Sequence, residues 1–67
     1  MAVIRTRDGH LIVVGGTLWH PDGRGVRHRV TVLAVDVIDG TRVVSGSDHR
    51  RRVCAYRPRD LYSTPAP

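Results

Sequence analysis

Apolar and polar positions alternate along most of this chain, in short runs separated by turn residues, which is the pattern of half-buried strands. Val3-Ile4-Arg5-Thr6-Arg7 and His10-Leu11-Ile12-Val13-Val14 flank Asp8-Gly9. That arrangement predicts a β-hairpin with a type I′ turn, whose two central residues both need positive φ. Gly15-Gly16 ends the run and predicts a sharp bend. Thr17-Leu18-Trp19-His20 reads as a short extended piece, and Pro21-Asp22-Gly23-Arg24-Gly25 as a loop. A long strand is expected from Val26 to Val37. Val30 and Val32 share one of its faces, whereas Leu33, Val35 and Val37 share the other, so a bulge or bend is expected near Val32-Leu33. Asp39-Gly40 predicts a second tight hairpin turn into Thr41-Arg42-Val43-Val44, and Ser45-Gly46-Ser47-Asp48 reads as a further turn cluster. Arg50 to Tyr56 reads as the final strand, ended by Pro58. Arg59-Asp60-Leu61-Tyr62 is expected to form one 3-10 turn with Leu61 as an apolar plug. Ser63 to Pro67 has no core-forming residue and reads as a tail.

Composition sharpens this picture toward an all-β fold. Eleven Val, three Ile and five Thr make 19 of 67 positions β-branched. There is no Lys, Glu or Gln, so the usual helix-forming fill is missing. A chain of 67 residues holds one domain, taken here as residues 1–62 with residues 63–67 as the tail. Domains of this size bury only about 60% of their unfolded surface and are marginal in stability. The single cysteine, Cys54, excludes an intramolecular disulfide. No apolar run approaches the roughly 20 residues that span a bilayer, and the first residues lack the basic and apolar regions of a secretory leader.

The bent strand Val26–Val37, the Asp39-Gly40 hairpin, the Arg52–Tyr56 strand and the terminal Arg59-Asp60-Leu61 turn together resemble an SH3-like small β-barrel over residues 10–62. The resemblance implies five or six short strands whose edges are protected by partial closure. The N-terminal hairpin is an addition to the simplest form of that fold, and it leaves an open antiparallel sandwich as the alternative.

Charge is the next source of information. All 11 basic residues are Arg and all six acids are Asp, for a formal net charge of +5. Residues 1–22 sum to zero and residues 23–40 to +1, while residues 41–67, with six Arg against Asp48 and Asp60, carry +4. Such a basic segment attracts a polyanion or an acidic protein face. Enrichment in Arg, Val, Gly, Asp and Pro without Lys, Phe or Asn is also what a GC-rich genome produces, and it points to a GC-rich bacterium or one of its viruses. Arg50-Arg51-Arg52 is the densest feature. On a strand, Arg50 and Arg52 would share a face, with Arg57 and Arg59 close by, and guanidinium forks suit phosphate oxygens. Arg24, within the Pro21–Gly25 loop, Arg27, just after it, and Trp19, an interface-prone residue type, complete the candidate contact set.

Catalytic chemistry is not expected. Cys54 lies mid-strand between Val53 and Ala55, a position typical of a small core residue, and no nucleophile elbow, phosphate loop or paired-carboxylate motif occurs. His10, His20, His28, His49 and Cys54 are spaced by 10, 8, 21 and 5 residues, which matches no zinc pattern. Neither cofactor, metal, small-molecule substrate nor membrane is implied. Two functions are left. One is a non-enzymatic structural or adaptor subunit held by protein neighbours in a larger assembly, such as a bacteriophage virion. The other is a nucleic-acid-binding barrel contacting phosphates along Arg50–Arg59. With only Trp19, Tyr56 and Tyr62 as aromatics, a base-stacking platform is thin, which favours the first. The expected location is a bacterial cytoplasm or a virion.

Overall fold

The computed structural model describes residues 3–66. It is all-β: strands β1 (Thr17–Pro21), β2 (Arg27–Ile38), β3 (Thr41–Ser47) and β4 (Val53–Tyr56) form one antiparallel sheet in the order β1-β2-β3-β4, followed by a 3-10 turn at Pro58–Asp60. Among the described residues no helix is long and apolar enough to cross a membrane.

Four strands in one open sheet replace the five or six expected. The missing pair is the N-terminal hairpin. Its two arms meet through a single bridge, Arg5 with Leu11, closed by bonds from the Ile12 N–H to the Ile4 carbonyl and from the Thr6 N–H to the His10 carbonyl. Asp8-Gly9 is not a type I′ turn either, because only Gly9 has positive φ. What forms instead is a three-residue loop: the Gly9 N–H reaches the Thr6 carbonyl, and Thr6 Oγ1 accepts the His10 N–H at 3.0 Å.

The same loop recurs twice. Asp22 and Val26 are joined across residues 23–25, and Asp48 and Arg52 across residues 49–51, by N–H to carbonyl bonds of 2.8 and 2.9 Å. In each, one carboxylate oxygen of the leading Asp accepts two backbone N–H groups, those of Arg24 and Val26 or those of Arg50 and Arg52. The third loop residue sits in the left-handed region, at φ 81° for Gly25 and φ 63° for Arg51. Arg50 and Arg51 are therefore turn residues, and the final strand begins at Val53, not at Arg50.

Ser45-Gly46-Ser47, expected to turn, continues β3. Gly46 is there because of space: a Cβ on it would lie 2.4 Å from Val30 Cγ1 and 3.2 Å from the Thr31 carbonyl oxygen. It lets Val30 and the Tyr56 ring close over the strand. Asp39-Gly40 is the tight turn expected, with both residues at positive φ and Ile38 paired to Thr41.

The bulge also falls where the valine phase changes. Val32 pairs with Gly46 and Ala34 with Ser45, so Leu33 has no partner. The extra residue brings Val35, opposite Val44, round to the face that carries Val30 and Val32. That face, with Ile12, Leu18 and Leu61, is the core. Leu61 is fully buried just after the 3-10 turn and acts as the plug. From there Tyr62 exchanges two backbone hydrogen bonds with Trp19 on the free edge of β1.

Candidate binding surface

Strand direction divides the polar residues between two ends of the sheet. At one end are the β1–β2 and β3–β4 loops, and at the other the β2–β3 turn, the N-terminal hairpin and the 3-10 turn.

At the first end, side chains are committed to one another. His28 Nε2 lies 2.9 Å from Asp22 Oδ2, and the His28 ring stacks on His49 with centroids 4.4 Å apart. His20, paired to His28 across the strands, tilts against Tyr56 at 4.9 Å. The His28 contact and then the Arg24 N–H hold the Asp22 carboxyl below its usual range. The Arg52 N–H does the same for Asp48. Burial pushes the Tyr56 hydroxyl up to about 12, with the nearby half-buried Cys54 adding to the shift. These groups come close together, yet among the described residues no three His, Cys or Asp are arranged to hold a metal ion.

The expected contact residues do not form one surface. Arg24, Arg50, Arg51 and Arg52 project from the loops of this first end, beside Asp22 and Asp48. Arg57 and Arg59 lie beyond β4, at the opposite end. Arg27 is turned inward on its own chain: its guanidinium sits 3.7 Å from the Tyr62 ring centroid and donates to the Thr64 and Ala66 carbonyls. Trp19 is half-buried in β1, across from Arg29. The tail is likewise held. Asp8 accepts the Ser63 N–H and hydroxyl and the Thr6 hydroxyl, and these bonds lower its carboxyl to about 2.

At the second end two concave surfaces lie side by side. One is an open cleft of about 880 Å³ lined by Arg5, Arg7, Arg42, Arg57 and Arg59, with Thr6 and Thr41 between them. Arg57 and Arg59 are members of the expected set, whereas Arg5, Arg7 and Arg42 are not. Their signal in the sequence was the i, i+2 spacing of Arg5 and Arg7, which places both on one face of an extended arm. The other surface is an apolar groove of about 490 Å³ between the N-terminal hairpin and the far half of β2, lined by Val3, Ile4, Leu11, Ile12, Val14, Val35 and Val37. Val14 is 66% and Val37 64% exposed, so these valines take little part in the core. The bulge that turns Val35 inward leaves Leu33 out, while Val37, on the same face as Val35, is exposed near the end of β2.

The side chains lining the two surfaces are Arg, Thr, Pro and aliphatic residues. No family model, curated protein or solved structure matches the chain.

Proposed function

We propose that this chain is a non-enzymatic adaptor, a small structural subunit gripped by a protein neighbour within a larger assembly of the kind a virion represents. The observation that carries the reading is the apolar groove. A monomer this small gains most by burying its valines, yet Val3, Leu11, Val14 and Val37 stay about half or more exposed around one continuous groove. Contiguous exposed apolar surface marks a contact site on proteins otherwise covered by polar groups. Tyr62 lying along β1, with Leu61 plugging the core, supports a sheet that curls in the SH3-like manner and offers the groove on a fixed support.

Purification from the native source tests this. The wild-type chain is expected to co-migrate with a protein subunit. Val14→Asp combined with Val37→Asp is expected to abolish co-migration while changing stability little, since both side chains are exposed. A wild-type chain that runs as a free monomer, or a double variant that keeps its neighbour, contradicts the proposal.

A second reading, nucleic-acid binding through arginine, is favoured by one observation: Arg57 and Arg59 converge with three further arginines in one cleft.

A further inference from the structure

We propose that the arginine cleft is a binding site for a run of phosphate groups, recognised through their charge and spacing and not through any base. The inference rests on the second reading above and moves its site from the Arg50–Arg59 edge to Arg5, Arg7, Arg42, Arg57 and Arg59.

These five side chains reach the cleft from three separate segments: the N-terminal hairpin, the start of β3, and the 3-10 turn. No carboxylate lines it, although Asp8, Asp39 and Asp60 each adjoin a lining residue in the sequence and Asp8 accepts the Thr6 hydroxyl. Among the described residues the single ion-pair contact is His28 with Asp22, at the other end of the sheet. The chain therefore places five cations around a concavity while its best-bonded acids are already satisfied: Asp8, next to the lining Arg7, by Ser63 and Thr6, and Asp22 and Asp48, at the other end, by loop N–H groups. Like charges gathered in this way repel and destabilise the compact state until a polyanion neutralises them. The lining chemistry narrows the class of anion. Guanidinium forks match phosphate oxygens two at a time, and the exposed Thr41 side chain adds a hydroxyl, that of Thr6 being already bonded to Asp8. No aromatic side chain lines the cleft, so nothing there can stack on a base. A phosphodiester backbone and a free polyphosphate share this chemistry.

Binding of two probes, inorganic tripolyphosphate and a ten-residue single-stranded oligothymidylate, to the full chain decides the matter. Each is titrated by calorimetry at low and moderate salt. Binding is expected at low salt; for four phosphate contacts on a single strand, raising salt from 50 to 200 mM should weaken it about 50-fold. Arg42→Ala with Arg57→Ala should weaken binding at least tenfold, while raising the melting temperature of the free chain because repulsion is relieved. Arg50→Ala with Arg52→Ala should leave binding within about twofold. Binding of the oligonucleotide alone assigns the site to nucleic acid, and of tripolyphosphate alone to free polyphosphate; both outcomes support the proposal. It is overturned if neither probe binds at low salt, or if polyglutamate binds as tightly as the phosphate probes. It is also overturned if Arg50→Ala with Arg52→Ala costs as much as the cleft pair. In that last case the second reading survives at its original edge and only the cleft is lost.

Discussion

The two ends of this sheet use similar residues in opposite ways. At the loop end, Asp22 and Asp48 cap their loops, His28 is bonded to Asp22 and stacked on His49, and the arginines stand beside carboxylates. At the other end, five arginines face a cleft without a carboxylate, and valines line a groove without a cover. The first end bonds its acids and histidines among themselves, although Val26 and Val53 stay exposed there. The second leaves both its charge and its apolar area unmatched, and unmatched chemistry on a marginal fold is where contact with other molecules gains most. Residue type alone does not separate them, because each end carries several arginines.

The largest test of that contrast removes what joins the second end to the core. Leu61 is fully buried, and its carbonyl accepts the Arg7 N–H. Leu61→Ala should cost about 2–5 kcal/mol, lowering the melting temperature by roughly 10–30 °C. Amide exchange should rise first in residues 4–12. Equal loosening at both ends would mean that the plug holds the whole sheet and not the hairpin.

Next in size is Gly46→Ala, which drives a methyl group into Val30 and the Thr31 carbonyl. The overpacking should cost about 1–3 kcal/mol in denaturant melts, with loss of the His28–His49 stack visible in the ring proton shifts. A neutral substitution would show that β2 and β3 can move apart freely at the loop end.

Acid separates the regions further. Folding lowers the Asp8 carboxyl to about 2 and also lowers those of Asp22 and Asp48. Groups depressed in this way stabilise the fold in full above about pH 4. The contribution drains away as pH falls toward 2. The Ser63 amide shift should follow the Asp8 titration, and Asp8→Asn should remove that dependence and release Ser63, leaving the tail held by Arg27. A Ser63 shift unmoved by acid would contradict the Asp8 staple.

The smallest effect is expected at Arg51, the one arginine held at positive φ. Strain there of roughly 1–2 kcal/mol exceeds the roughly 0.4–1 kcal/mol of ordering cost that glycine brings. Arg51→Gly should therefore raise stability by up to about 1 kcal/mol, read as a higher denaturant midpoint. A drop would show that the guanidinium has a structural partner.

Much of the fold was legible because its signals are local. Asp39-Gly40 supplies a turn that only a few residue types tolerate, the valine phase change locates the bulge at Leu33, and Leu61 stands alone as an apolar residue in a polar stretch. What failed depended on neighbours distant in sequence. Gly46 looks like a turn residue until Val30 and Tyr56 are seen to close over it. Arg50-Arg51-Arg52 looks like a strand because the left-handed loop position, filled by Gly9 and Gly25 elsewhere, holds Arg51 here. The cleft joins Arg5 to Arg42 and Arg59, a convergence that no spacing along the chain encodes. The N-terminal hairpin was the reverse case. Its alternation reads as a hairpin, but Asp8-Gly9 closes a three-residue loop in place of the type I′ turn, and its arms pair at one bridge only.

The proposed division between an end whose acids and histidines are bonded to one another and an end that makes contacts can be measured in one experiment: hydrogen exchange of the chain within the complex proposed above, compared with the free chain. Protection is expected over residues 3–14 and 35–42, with residues 22–26 and 48–52 unchanged. Protection confined to the two loops, or none anywhere, would contradict it.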